Sequence, residues 1–284
     1  MFLIPKQPME LILQLIYMKI FVINLKTSVR RRKKIESQLN KLELPFEIFE
    51  AVQGSALTES ETLSWYDEKF YNNRPSYHTS GMVGCTLSHY FVYKTIVEQK
   101  IEKALILEDD MVLSKNLPTL LNEISKKIRN DEIIMLFYQS YFPINLYATS
   151  AQSVKDKFKL YQVNDLKGLR STAAYVITYE AATSMLEGYL PISFFPDDWK
   201  GFYNKKLLNG VRIIYPFTLT NSYEPTTISP NSKGGKLVKF FLVIIEKYKV
   251  FPLYQALKYR RKINTAKSRR CFILNEQPSD FRKQ

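Results

Sequence analysis

Residues 103–110 read Lys103-Ala104-Leu105-Ile106-Leu107-Glu108-Asp109-Asp110, and this stretch decides the class of fold. Ala104–Leu107 is a short, unbroken apolar run, the pattern of a strand buried on both faces. It runs straight into three acids. Carboxylates crowded at the end of a buried strand repel one another and lose hydration. In open α/β sheets ligands bind beyond the carboxyl ends of strands. A divalent cation would relieve the repulsion, because hard cations take carboxylate oxygens and bridge phosphates. A solvated turn whose acids cap the following helix fits the same residues.

Working outward, Lys19–Leu25 reads as a first buried strand, followed by a basic segment from Ser28 with Ile35, Leu39 and Leu42 at helical spacing. Pro45 ends that helix and Phe46–Val52 reads as the next strand, a βαβ unit. Thr58–Phe70 is expected to be a helix opened by a Thr58/Glu61 capping box, and Tyr71–Thr79 a loop. A helix is expected from Gly81, then the strand at 104–107, a helix over Leu117–Ile128 and a strand over Ile133–Tyr138. Tyr141–Leu169 reads as mixed short strands and loops. Ser171–Thr178 is a further strand, Glu180–Leu186 a helix, Pro191–Pro196 a loop, Asp197–Leu208 a helix and Val211–Tyr215 a final strand. Alternating strands and helices predict an α/β body with a largely parallel sheet.

The chain has 284 residues and a formal net charge of +14. Charge is unevenly placed. From Pro230 to Gln284 fourteen Lys or Arg stand against three acids, so this segment carries +11 and the rest only +3. Three regions follow: an extension over 1–17, with Met18 read as the natural start, a nearly charge-balanced body over 18–230, and a basic tail over 231–284. Ser232-Lys233-Gly234-Gly235 reads as a hinge. Phe240–Ile245, bracketed by lysines, is too short to span a bilayer but suits an interfacial helix. Two cysteines, Cys85 and Cys271, give no disulfide framework, and with two histidines they argue against a structural zinc site. A reducing compartment is the expectation.

A second acidic pair lies in Phe194-Phe195-Pro196-Asp197-Asp198-Trp199. Aspartates at a helix start are ordinary N-caps, yet the flanking aromatics suit a sugar pocket. No Walker loop, G-x-G-x-x-G or G-x-S-x-G occurs. His89 on the Gly81 helix reads first as a packed core histidine.

Five motifs in order resemble glycosyltransferase family 25, the bacterial lipooligosaccharide transferases. They are Ile23-Asn24-Leu25 with Arg31-Arg32, then Gly84-Cys85-Thr86-Leu87-Ser88-His89, then Leu107–Asp110, then Ala174–Ile177 with Ala181-Ala182, and Pro196-Asp197-Asp198. The chain departs from the family pattern at Lys26-Thr27, where an acid and an arginine usually stand. The resemblance implies a GT-A-like, Rossmann-like α/β/α sandwich, here with a basic helical tail. It further implies an inverting transfer of a hexose, galactose before glucose, from a UDP-sugar to a lipooligosaccharide or LPS acceptor. On this resemblance Asp110 and Glu108 hold a divalent metal, Mn²⁺ or Mg²⁺. Asn24, Arg31, Ser88, His89, Glu108 and Asp109 contact the donor. Asp198, then Asp197, is the base.

The basic tail is expected to hold the enzyme on an anionic membrane surface, at the cytoplasmic face of a bacterial inner membrane, beside a glycolipid acceptor. Two other readings compete. One is a catalytically inactive membrane scaffold of the same fold. The other is nucleic-acid binding, prompted by Arg30–Lys34 and the tail but unsupported by any recognised motif.

Overall fold

In a computed structural model of the chain, the described residues are 18–73, 78–140, 142–163, 165–222 and 236–275. The expected extension and start at Met18, and the hinge at 232–235, lie outside them or at their border. Strand β1 (Lys19–Asn24) is followed by helix α1 (Val29–Lys41) and β2 (Glu47–Glu50), and β1 pairs with β2 in parallel, as the βαβ reading requires. Two short helices, α2 (Glu59–Leu63) and α3 (Glu68–Asn73), lead to the long α4 (Ser80–Glu98). Then come β3 (Lys103–Glu108), β4 (Met111–Val112), α5 (Leu117–Lys127) and β5 (Glu132–Ser140).

The region expected to hold mixed short strands and loops contains β6 (Ile144–Tyr147), β7 (Gln152–Lys155) and β8 (Phe158–Gln162). The body continues with β9 (Leu169–Thr178), α6 (Tyr179–Tyr189), α7 (Trp199–Asn204), β10 (Gly210–Tyr215) and β11 (Thr220–Asn221). The main sheet has eight strands in the order β2-β1-β3-β9-β5-β10-β8-β7. It is mostly parallel: β9 is antiparallel to both its neighbours, β8 is antiparallel to β10 and β7, and the others share one direction.

Alternation along the strands divides the core into two layers. Phe21, Ile23, Ile106, Tyr175 and Ile177 pack with α4, α6 and α7 through Val83, Leu87, Ala181, Met185 and Trp199. Ile20, Val22, Leu105, Leu107 and Val176 face the other way, onto Ile35 and Leu39 of α1 and Leu120, Leu121 and Ile124 of α5. The result is the expected α/β/α sandwich.

Three local readings need correction. The capping box of Thr58 and Glu61 forms, but its helix stops at Leu63. The backbone at Trp65–Asp67 instead bonds to Ile192 on both sides, at 2.9 Å each, and seats the buried Tyr66 ring. The loop expected from Tyr71 is helical to Asn73. The helix expected over Asp197–Leu208 is only Trp199–Asn204, ended by Lys206 at φ 61°.

The tail also departs from expectation. It contains α8 (Lys236–Tyr248), α9 (Leu253–Lys267) and β12 (Cys271–Leu274), and β12 pairs in parallel with β6. The buried Arg269 lies 4.6 and 4.2 Å from the Phe137 and Phe217 ring centres and donates to the Leu219 carbonyl at 2.8 Å. A boundary at 230 therefore assigns to the tail a segment, 268–274, that packs as part of the body. No helix among the described residues is long and apolar enough to cross a membrane.

At the far end of the sheet from Glu108, Arg212 on β10 binds Glu132 on β5 through two nitrogens, at 2.5 and 2.7 Å, with both side chains buried. A hollow of about 460 Å³ lies beside this pair, but Arg212 is also bonded to Gln152 and the Lys127 carbonyl, so its donors are already taken. Removing one member of such a pair leaves a buried charge uncompensated. Glu132→Gln is expected to lower unfolding stability by about 3–5 kcal/mol, measured by urea denaturation.

Candidate active site

The acids at 108–110 sit where β3 ends, and each has a different environment. Asp109 is buried and clamped: Asn24 Nδ2 donates to its Oδ2 at 2.7 Å and Arg31 Nη1 to its Oδ1 at 3.3 Å. Burial pushes its carboxyl up, opposed by Arg31 and Asn24. The contact ties the β1–α1 turn to the end of β3. Glu108 Oε1 accepts from Thr172 Oγ1 at 2.9 Å and lies 3.8 Å from His89 Nε2. Burial works against its ionisation, but His89, Thr172 and Arg31 together outweigh it and hold the carboxyl below its ordinary range.

Asp110 receives less support, since the pull of Arg31 does not offset its burial. Its Oδ1 is buried without a hydrogen-bond partner, and burial, then Glu108, pushes its carboxyl up to about 7. Its backbone carbonyl accepts from Ser222 N at 2.9 Å, where β4 pairs with β11.

Beside these acids is a crevice of about 330 Å³, lined among others by Arg31, Gln53, Gly54, Ser88, His89 and Glu108. One wall depends on two glycines. A Cβ on Gly54 would lie 2.0 Å from the Ser80 carbonyl oxygen, and one on Gly84 would lie 2.5 Å from the Val52 oxygen. Only glycine lets the 52–54 loop approach α4 this closely. Ser88 Oγ fastens the same contact, accepting from Val52 N at 2.8 Å and donating to the Gly84 carbonyl at 2.6 Å. Ser88 therefore lines the crevice while its hydroxyl is occupied in holding the wall. His89 is 1% exposed and its Nδ1 is hydrogen-bonded to the Tyr175 hydroxyl at 2.9 Å. Its environment is a packed core, as first read, but with one ring nitrogen facing Glu108.

The second acidic pair flanks a neighbouring hollow of about 340 Å³ with Phe70, Asn73, Arg170 and Phe195. Asp198 caps α7, accepting from Gly201 N at 3.2 Å and from Arg170 Nη1 at 3.4 Å. Asp197 Oδ2 accepts from Ser171 N at 3.3 Å, and burial raises its carboxyl against the pull of Arg170. The two acidic motifs, far apart in sequence, thus meet across consecutive residues of β9: Thr172 binds Glu108 and Ser171 binds Asp197. Ser171 has φ 94°, a conformation strained for a side chain. It is held by the Asp197 contact on its N–H and by Trp199 Nε1 on its carbonyl at 3.3 Å.

Sequence reading missed Arg170, Ser171, Thr172 and Cys85. The three β9 residues form no motif, since they reach the site only because β9 inserts beside β3. Cys85 was read only as part of a resemblance motif and a cysteine count.

Asp110 gives a pH signature. Its folded value lies above its ordinary 3.8, so the folded chain binds more protons than the unfolded chain between these values. Without metal, the contribution is present below pH 3.8 and is lost as pH rises through about 7. In EDTA, denaturation midpoints are expected to fall over this range, with Asp110→Asn removing on the order of 2–4 kcal/mol of the stability lost across it. Asp109 and Asp197 shift the same way and leave a residual slope.

Comparison with known proteins bears on what this crevice does. The model of "Glycosyltransferase family 25 (LPS biosynthesis protein)" matches residues 17–199. The chain is similar to procollagen galactosyltransferase 2 of Mus musculus, 34% identical over 128 residues, covering 42% of this chain and 20% of that protein. The Homo sapiens protein of the same name is 40% identical over 100 residues, 33% of this chain and 16% of that one. A glycosyltransferase 25 family member of Drosophila melanogaster is 35% identical over 97 residues, 33% and 16% respectively. The matched stretch thus spans about a fifth or less of each relative's length. Among solved structures, a glycosyltransferase involved in glycosylation of the major capsid of PBCV-1 aligns with TM-score 0.32 and 11% identity, over 73% of this chain and 82% of that one. The family match spans both acidic motifs and the crevice wall, and on it this chain belongs to glycosyltransferase family 25.

Proposed function

We propose that the chain is an inverting transferase that moves a hexose, galactose ahead of glucose, from a UDP-sugar to a hydroxyl of a lipooligosaccharide or LPS acceptor. The observation that carries this reading is the joining of the two acidic motifs through consecutive residues of β9, Ser171 bonding Asp197 and Thr172 bonding Glu108. Galactose is favoured by the names of the procollagen relatives, and the glycolipid acceptor by the family description.

The residues fit a hard divalent ion. Asp110 carries a buried oxygen with no partner, and its carboxyl is held toward the neutral form. Asp110 with Glu108 would hold Mn²⁺ or Mg²⁺, which supplies Lewis-acid stabilisation of a departing diphosphate. Arg31 adds positive charge to the same wall, and Asn24 and Asp109 fix the turn that presents it. Ser88 and His89 shape the donor side. Among the aspartates, we place Asp197 ahead of Asp198 as base, reversing the order expected from sequence. Asp198 is occupied by its cap and Arg170, whereas burial raises the proton affinity of Asp197 above that of an ordinary aspartate, the direction that favours a base.

Calorimetric titration with UDP-galactose, UDP-glucose and UDP-N-acetylglucosamine, in Mn²⁺ and in EDTA, tests the donor site. Metal-dependent binding of UDP-galactose, abolished in Asp110→Ala, is the expected result. Asp197→Asn should keep donor binding and lose transfer by about 10²–10⁴-fold. No binding by folded wild type would favour the inactive scaffold.

Membrane association is part of this proposal, on the cytoplasmic face of the inner membrane. Support comes from the turn joining α8 to α9, where Tyr248, Val250, Phe251 and Leu253 are exposed between basic side chains, Phe251 at 77%. Such a tip suits an anionic interface, with each nearby Lys or Arg contributing about 1 kcal/mol. The double variant Phe251→Ser, Leu253→Ser should reduce sedimentation with phosphatidylglycerol-containing vesicles while leaving the fold intact. Unchanged sedimentation would refute the assignment.

A further inference from the structure

Cys85 and His89 are four residues apart on α4 and so share one face of that helix. That face meets the end of β3. Cys85 Sγ, a ring nitrogen of His89 and a carboxylate oxygen of Glu108 all lie within 4.8 Å of one another. His89 is oriented through its other nitrogen: Nδ1 bonds the Tyr175 hydroxyl, which in turn bonds the Tyr93 hydroxyl at 2.8 Å. Its Nε2 is buried and has no hydrogen-bond partner, with Glu108 Oε1 at 3.8 Å. An unpaired buried ring nitrogen is costly. A ring held through one nitrogen, with the other free beside a thiol and a carboxylate, is the arrangement metal-ligating histidines use.

From this geometry we infer that Cys85, His89 and Glu108 form a binding site for a thiolate- and imidazole-seeking divalent cation, zinc foremost, different in ligand chemistry from the site proposed at Asp110 but sharing Glu108 with it. One sulfur, one nitrogen and one carboxylate oxygen match zinc and cobalt, whereas manganese and magnesium favour oxygen ligands. Three protein ligands leave a fourth position for water or a substrate oxygen. On binding, Cys85 gives its proton to the buffer and coordinates as thiolate. Where the transferase reading holds, the shared Glu108 has a consequence: zinc withdraws that carboxylate from the donor's ion and competes with manganese-supported transfer. The site itself does not rest on that reading.

Cobalt titration of the full chain tests the site by the near-ultraviolet charge-transfer band of a cobalt–thiolate bond. The band is expected in wild type, Cys271→Ser and Asp110→Asn, and lost in Cys85→Ser and His89→Gln. In unmodified wild-type protein, zinc should slow maleimide alkylation of Cys85 by about tenfold or more, read by peptide mass, since the coordinated thiolate is no longer available. Folded wild type with neither band nor protection overturns the proposal. A band that persists in Cys85→Ser, or vanishes in Cys271→Ser, overturns it equally. If the cobalt band forms while UDP-galactose fails to bind with manganese, the cation site stands and the transfer reading fails.

Discussion

The insertion of β9 between β3 and β5 is the constraint on which the site depends. Because β9 runs against both neighbours, its first residues reach the edge where β3 ends. Its register with β5 shifts between Phe137 and Gln139, and within that irregularity Ser171 takes a strained backbone while Thr172 turns its hydroxyl to Glu108. An irregularity of this kind re-aims side chains at a strand end. Trp199, fully buried against Tyr175, holds the Ser171 carbonyl through its ring N–H. Without β9 in this position, the acids after β3 and those before α7 would have no common neighbour.

Electrostatics then divides three adjacent acids into three roles. A buried carboxylate is tolerated when it is paired or hydrogen-bonded, and otherwise moves toward its neutral form. Asp109 receives an amide and a guanidinium, and acts as a clamp between the first turn and β3. Glu108 receives a hydroxyl and lies beside an imidazole. Asp110 keeps an unpaired buried oxygen, the kind of group that structures otherwise avoid. The uneven provision leaves Asp110 with a bare buried oxygen, while Glu108 lies within 4.8 Å of the thiol and imidazole on α4.

The tail shows how charge and packing separate within one segment. Its basic excess is a property of sequence, yet its final residues are built into the body. Arg269 lies against two aromatic rings and β12 extends β6. The two helices expose apolar side chains at the turn over 248–253 and also at Phe241, Tyr259 and Ile263.

What the sequence by itself determined is the layered α/β class, the order of the main elements and the cluster of acids at a strand end. These are local signals: apolar runs, helical spacing, capping residues and a charge cluster, each readable within about ten residues. What only the tertiary structure decided is which acid is clamped and which is bare, that Ser88 supports a wall, and that Ser171 and Thr172 join the two motifs. The break after Leu63 and the shortness of α7 belong here too, since the first follows from a bridge to Ile192 and the second cannot be read from Asp197–Leu208 alone. These features rest on contacts between residues as far apart as Asn24 and Asp109, or Arg269 and Phe137. Local pattern carries no record of such partners, because their pairing is set by the order of strands in the sheet.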